Sequence, residues 1–113
     1  MKWHEGRQGT GYRVLTLFES KRLKCDLHII KVEAQGHVPE HLDAVGGDYE
    51  HHRVNMHMSA PQPKSIVYIG RTPIVRRIYR FRPDIQPHGV TRVRSWPMWI
   101  LSFGWLKKVS IPT

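Results

Sequence analysis

The sequence is poor in cysteine, in acidic residues and in long apolar runs. One cysteine, Cys25, cannot form an internal disulfide. No apolar run approaches the roughly 18 residues of a membrane span, and the polar start MKWHEGRQGTGYR does not resemble a signal peptide. We therefore expect a soluble cytoplasmic protein with no membrane association.

Several catalytic motifs are also missing. The chain has no G-x-S-x-G nucleophile elbow, no P-loop and no dinucleotide fingerprint. Ser102, in ILSFGW, is better interpreted as a strand residue than as an activated nucleophile. The sequence thus gives no support to nucleophilic catalysis or to nucleotide chemistry.

The charge is strongly positive. Eighteen Lys and Arg against nine Asp and Glu give a net charge of +9, which favours an acidic partner, either a nucleic acid or an acidic protein. In an extended segment, Arg76, Arg80 and Arg82 share one face, and Tyr79 and Phe81 share the other. This arginine face is interpreted as the solvated side of a sheet or as a binding patch.

The dominant hydrophobic period is two, which is typical of strands. Eight prolines agree with an all-β fold, because proline serves turns and edge strands. One short helix is expected near residues 18–24, and residues 1–113 are expected to form a single domain with a β-sandwich or barrel architecture. The predicted strands cover residues 12–18, 25–32, 53–58, 65–69, 76–81, 89–94 and 98–105.

A His-x-Asp pair lies in the turn-rich stretch GHVPEHLDAVGG. If residues 38–43 are extended, His41 and Asp43 leave the same face and can converge on one ion. Two histidines and one carboxylate form the facial triad of non-haem Fe(II) oxygenases, so a second histidine on a neighbouring strand is required. The alternative interpretation is a polar surface loop.

The segment FRPDIQPHGVTRVRSWPMWILSFGW contains a candidate for this second histidine, His88, at the start of a predicted strand. With GYRVLTLFES, HVPEHLDAV and HHRVNMHM, it resembles the small prolyl-hydroxylase-like 2-oxoglutarate and Fe(II)-dependent oxygenases over most of the chain. The resemblance implies a double-stranded β-helix, or jelly roll, with few helices. It also implies that His41, Asp43 and His88 are the catalytic metal ligands, and that Fe(II) and 2-oxoglutarate are the cofactors of a dioxygenase.

The chain departs from this family at the cosubstrate site. The family usually places an Arg or Lys after the distal histidine, at positions that correspond to Pro97 and Met98 here. Neither residue can pair with a carboxylate. The substitute candidates for binding the keto-acid carboxylate are Arg53, Arg92 and Arg94.

Other histidines allow weaker interpretations. His37 and His41 have a helical zinc spacing, but Pro39 between them disfavours a helix. His51 and His52 are adjacent, so at most one of them can join His41 in a site within a strand.

Two further functions are compatible with the sequence. One is a degenerate member of the same fold that binds a partner or acts as an inhibitor, and the other is a basic nucleic-acid-binding β-barrel. Three tryptophans near the C-terminus, Trp96, Trp99 and Trp105, predict either a covered sheet face or a homodimer interface.

Overall fold

The described residues of the protein form ten strands, and the pairings between neighbouring strands are antiparallel. The structure, a computed structural model, describes residues 3–5, 10–43, 45, 48–60, 66–70, 72–93 and 96–108, and these residues contain no helix. Consequently, no helix that could cross a membrane is found in the described part of the chain. The strands are β1 (Trp3–Glu5), β2 (Tyr12–Ser20), β3 (Cys25–Val32), β4 (Val38–His41), β5 (Tyr49–His57), β6 (Val67–Ile69), β7 (Thr72–Ile74), β8 (Ile78–Phe81), β9 (His88–Val90) and β10 (Met98–Lys108).

The larger sheet has six strands in the order β1-β2-β3-β10-β5-β8. Strand β10 lies at its centre, and its alternate residues Met98, Ile100, Ser102 and Gly104 are buried. This period-two pattern is what a strand shows when one face covers a core. The register places Ser102 beside His28 of β3 and beside Asn55 of β5, so polar residues of three strands meet on the inner face.

The smaller sheet has four strands in the order β4-β9-β6-β7. Strands β4 and β9 pair Val38 with Val90 and His41 with His88, and the register shifts between the two pairs. A β-bulge of this kind re-aims side chains and is frequent beside active sites. Proline 39 lies within the irregular part, where a missing backbone N–H is tolerated.

The two sheets enclose one hydrophobic core. Val32, Met98 and Ile100 belong to the larger sheet, whereas Val67 and Val90 belong to the smaller one, and all five are buried in a single cluster. Burial of apolar side chains from both inner faces is the main stabilising contribution in a two-layer fold.

The sequence predicted the long strands well and the local helix wrongly. Residues 18–24 form the end of β2 and a turn rather than a helix, because Ser20 pairs with Cys25 in the β2–β3 hairpin. The Ser20 hydroxyl accepts a hydrogen bond from the Leu23 N–H, and Lys24 closes the turn with a φ of 53°. Sheet pairing here overrides local helical propensity.

Strand boundaries differ elsewhere in detail. Strand β5 begins at Tyr49 rather than at 53, and β8 begins at Ile78 rather than at 76. Strand β9 spans His88–Val90, so residues 91–93 of the predicted segment 89–94 are not in a strand, and residue 94 lies outside the described residues. Strand β10 continues to Lys108. The short strands β1, β4 and β7 were not among the seven predicted segments.

The predicted alternation in β8 is confirmed. Tyr79 and Phe81 are buried, and Arg80 is exposed on the opposite face. The aromatic side chains of this strand therefore belong to the core and leave the arginine on the solvated side.

Candidate metal centre

Three potential metal ligands meet at one edge of the smaller sheet. His41 ends β4, His88 begins β9, and the two are direct cross-strand partners. Asp43 follows β4, where its backbone N–H donates to the Pro83 carbonyl oxygen at 2.8 Å. The strand pairing and this loop hydrogen bond together bring residues far apart in the sequence to one point.

The ligand atoms have separations that suit one ion. The Nε2 atom of His41 lies 3.5 Å from Asp43 Oδ1, and that of His88 lies 3.4 Å from Asp43 Oδ2. One ligand atom from each of the three residues falls within 4.8 Å of the others. Ligands at about 2.1 Å from a shared first-row metal are separated by roughly 3–3.5 Å when they are adjacent in the coordination shell. The donor set therefore fits a divalent transition metal.

The imidazole tautomers also fit a metal. Nδ1 of His41 donates to the Pro39 carbonyl oxygen at 2.8 Å, and Nδ1 of His88 donates to the Gln86 carbonyl oxygen at 2.9 Å. A carbonyl oxygen only accepts, so Nδ1 carries the proton, and the neutral form of each ring offers its Nε2 lone pair to a metal. Carbonyl partners of this kind orient metal-binding histidines and increase their basicity.

The three residues open into a cavity of about 360 Å³ between the sheets. Its wall is largely apolar, and Phe81 packs edge-on against His88 with ring centroids 5.1 Å apart. The size is within the range of small-molecule sites. The aliphatic part of the wall includes Val14, Ile30, Val38, Val67, Ile69 and Ile100.

Arg53 lines the same cavity from β5 and is 8% exposed. Its Nη2 donates to Asp26 Oδ1 at 2.6 Å and to His51 Nε2 at 3.3 Å, and its Nη1 donates to Ser102 Oγ at 2.8 Å. A Cβ at position 104 would overlap the guanidinium, so Gly104 is the residue that lets Arg53 lie against β10. This buried cation thus has an internal counter-ion.

Charge and burial act on Asp26 in opposite directions. Burial raises its pKa, but hydrogen bonding from His28 and the positive charge of Arg53 outweigh this effect and lower the pKa overall. The carboxyl group therefore stays ionised at neutral pH.

A chain of hydrogen bonds continues from Arg53 along the inner face of the larger sheet. Ser102, which is fully buried, donates to Asn55 Oδ1 at 2.6 Å, and Asn55 Nδ2 donates to the Tyr79 hydroxyl at 3.3 Å. That hydroxyl lies 3.2 Å from His57 Nε2. Burial raises the pKa of Tyr79 to about 12, so its hydroxyl is neutral and serves as a donor.

His51 occupies the cavity wall beside Arg53. It is 8% exposed, and burial and the neighbouring positive charge of Arg53 lower its pKa. The neutral ring accepts from Arg53 through Nε2, and the buried Nδ1 has no hydrogen-bond partner. Its neighbour His52 lies on the outer face, stacked on Trp105, as expected for adjacent strand residues.

The three arginines predicted to bind the keto-acid carboxylate differ in position. Arg53 faces the cavity, whereas Arg92 is exposed and does not line it. The position of Arg92 therefore gives no support to its predicted role as a keto-acid ligand. Arg94 lies outside the described residues. Met98 is 5% exposed and belongs to the core.

Sequence reasoning missed Asp26 and the role of Ser102. The alternation of β3 places Asp26 and His28 on the same face as Ile30 and Val32, and this was a usable signal for an inward polar pair. The ion pair of Asp26 with Arg53 depends on the non-local order β3-β10-β5, which the local pattern does not contain.

Comparisons with known proteins identify the fold. No family model and no curated protein matches the chain. Among solved structures, the cupin-2 domain of an XRE family transcriptional regulator from Enterobacter cloacae matches with a TM-score of 0.67 and 19% identity, over 87% of this chain and 99% of that one. A cupin 2 conserved barrel domain protein from Rhodopseudomonas palustris matches with a TM-score of 0.61 and 16% identity, over 90% and 67% of the two chains.

A third similar structure is KdgF from Halomonas sp., with a TM-score of 0.61 and 12% identity, over 92% of this chain and 86% of that one. These matches confirm the predicted all-β jelly-roll class and show that the fold is cupin-like. Identities this low establish a shared fold alone.

Proposed function

We propose that this protein is a metal-dependent enzyme of the dioxygenase type, with Fe(II) held by His41, Asp43 and His88. The observation that carries the proposal is the convergence of two Nε2 atoms and one carboxylate, with both Nδ1 atoms fixed by backbone carbonyls. Two histidines and one carboxylate are the donor set of non-haem Fe(II) oxygenases.

The surrounding residues support such chemistry. Bound iron would supply oxygen activation at the coordination positions that the three ligands leave open. Pro39 and Gln86 hold the imidazole rings in place through their carbonyl oxygens. Phe81 and the aliphatic part of the wall place apolar side chains beside the site, which reduces the contact of a bound reactant with water.

The cosubstrate is a separate part of the proposal. The family resemblance implies 2-oxoglutarate, whose remote carboxylate needs a cation in the cavity. Arg53 is the candidate for that role, but its Nη2 already binds Asp26. Metal binding and 2-oxoglutarate binding must therefore be measured independently.

The proposal is tested by thermal unfolding with Mn(II), a redox-silent substitute for Fe(II). A ligand at about 100 times its Kd adds about 2.7 kcal/mol to the free energy of unfolding of the state that binds it. We expect Mn(II) to raise the Tm of the wild type and of His4→Ala, which removes an exposed histidine of β1. His88→Ala should keep the β-sheet circular dichroism spectrum and lose the Mn(II) response. An equal response in His88→Ala would contradict the site.

A second candidate is a metal-binding member of the same fold that binds a partner without turnover. The Arg53–Asp26 pair favours this candidate, because Asp26 already binds the guanidinium that 2-oxoglutarate would need. One similar structure is a domain of a transcriptional regulator, which is compatible with a ligand-binding role. Metal binding with no oxygen consumption in the presence of 2-oxo acids would select this candidate.

An acidic partner is also proposed, from the net charge of +9. Arg76, Arg77 and Arg80 are exposed near one edge of the larger sheet. Tyr79 and Phe81 are buried, so β8 offers no aromatic stacking surface, and this favours an acidic protein over single-stranded nucleic acid. Binding to a nucleic acid would show a steep dependence on salt concentration.

A further inference from the structure

The fixed charges around the cavity limit the charge of its ligand. A divalent ion beside the carboxylate of Asp43 leaves one uncompensated positive charge at the metal site. The cavity cation Arg53 is paired with Asp26 at 2.6 Å, so this ion pair adds no net charge. Transfer of an uncompensated charge from water into a partly enclosed, largely apolar cavity is costly, so the favoured ligand is one that carries a single negative charge.

The hydrogen bonds of Arg53 also favour a ligand with a single carboxylate. Recognition of a carboxylate by arginine is strongest when two N–H groups of the guanidinium are offered together. Here Nη1 donates to Ser102, and Nη2 donates to both Asp26 and His51. Bidentate binding of a second carboxylate uses an N–H of Nη2, so it would have to displace Asp26 or His51 from Arg53.

The remaining wall is suited to an apolar group. In the described part of the chain, Arg53 is the one lysine or arginine that lines the cavity. Aliphatic residues of both sheets, among them Ile30 and Val67, and the aromatic ring of Phe81 contribute an apolar part of the wall, and Met98 packs in the core. An apolar tail gains free energy by leaving water for such a wall.

Resting on the proposed metal site, we infer that the cavity binds a monoanionic 2-oxo or 2-hydroxy acid with an apolar tail, and not a dicarboxylate. The carboxylate and the adjacent oxygen are the end of the ligand that faces the metal. The tail lies against the aliphatic wall formed by Val14, Ile30, Val67, Ile69 and Ile100. The Arg53–Asp26 pair is the specificity determinant, because it withholds the guanidinium from a second carboxylate.

Two acids with the same chelating end test this inference. We compare 3-methyl-2-oxobutanoate, a monoanion with an isopropyl tail, with 2-oxoglutarate, by titration calorimetry of the Mn(II)-loaded protein. We expect the monoanion to bind at least about tenfold more tightly, a difference of about 1.4 kcal/mol. Equal or tighter binding of 2-oxoglutarate would overturn the inference and leave the metal site intact.

A charge variant tests the role assigned to the ion pair. Asp26→Asn removes the counter-ion and keeps an oxygen acceptor for Arg53, so it should shift the affinity ratio towards 2-oxoglutarate by about tenfold. Glu33→Gln is the matched control, because it removes the same charge at a partly exposed residue that pairs with Lys31 outside the cavity. An unchanged ratio in Asp26→Asn would contradict the assignment. Absence of Mn(II) binding in the wild type would instead overturn the proposed function itself.

Discussion

At the scale of single residues, the site depends on contacts that fix side chains before any ligand arrives. His41 and His88 each have one nitrogen committed to a carbonyl oxygen, so the other nitrogen is preorganised. The proximity of the three candidate ligands agrees with the prediction from the His-x-Asp spacing and the family resemblance, and their binding of a metal stays a prediction. The ion pair of Asp26 could not be predicted, because its partner Arg53 is two strands away in the sheet.

Gly104 gives the sharpest prediction at this scale. A methyl group there would overlap the guanidinium of Arg53, which is held by Asp26 and Ser102 and cannot move without breaking those hydrogen bonds. Overpacking of a buried site costs about 1–3 kcal/mol. We expect Gly104→Ala to lower the free energy of unfolding in urea by this amount. An unchanged free energy of unfolding would show that the Arg53 side chain can move away from position 104 without loss of stability.

At the scale of elements, the long strands were predictable, whereas the short strands β1, β4 and β7 were not. Strands β2, β3 and β10 have eight or more residues with clear alternation or apolar character. Strands β1 and β7 have three residues each, and both lie at sheet edges, where little side-chain burial marks them. The prediction of a helix at 18–24 was wrong because pairing with β3 extends β2 to Ser20, and the helical propensity of the segment does not include this pairing.

The pairing of β4 with β9 supplies a prediction for these elements. A Cβ on Gly89 would lie 2.7 Å from the Val38 carbonyl oxygen and 2.8 Å from the Tyr68 hydroxyl oxygen, and the first of these is backbone. Gly89→Ala should therefore separate the two strands and move His88 away from His41. We expect a loss of Mn(II) affinity of about 10- to 100-fold, as for other outer-shell changes. A variant that remains folded with full Mn(II) affinity would contradict this account.

At the scale of the whole molecule, buried titratable groups set the pH range of stability. Burial lowers the pKa of both His51 and His57, so the folded protein holds fewer protons than the unfolded chain below pH 6.5. The pKa of Asp84 is lowered to about 2 by its hydrogen bond from Arg82, and that of Asp26 is also lowered. The two carboxylates therefore stabilise the folded protein at pH values above 3.8, their ordinary pKa, and this stabilisation is lost as the pH falls towards their lowered pKa values.

We therefore expect the Tm of the metal-free protein to fall as the pH decreases below about 6.5, with a second loss below about pH 4. The measurement is a series of melts from pH 8 to pH 3 in the presence of a chelator. His57→Gln should reduce the slope of the first phase, because it removes one histidine that must stay neutral. A Tm that is constant from pH 8 to pH 5 would contradict the burial of these histidines.

The homodimer interface expected from the C-terminal tryptophans stays a prediction.

The central claim is that His41, Asp43 and His88 bind one metal ion. The most direct measurement is anomalous diffraction from crystals soaked in Mn(II). We expect a single strong peak about 2.0–2.2 Å from the two Nε2 atoms and from an Asp43 carboxylate oxygen. No peak at this position, or a peak held by other histidines such as His51 or His52, would contradict it.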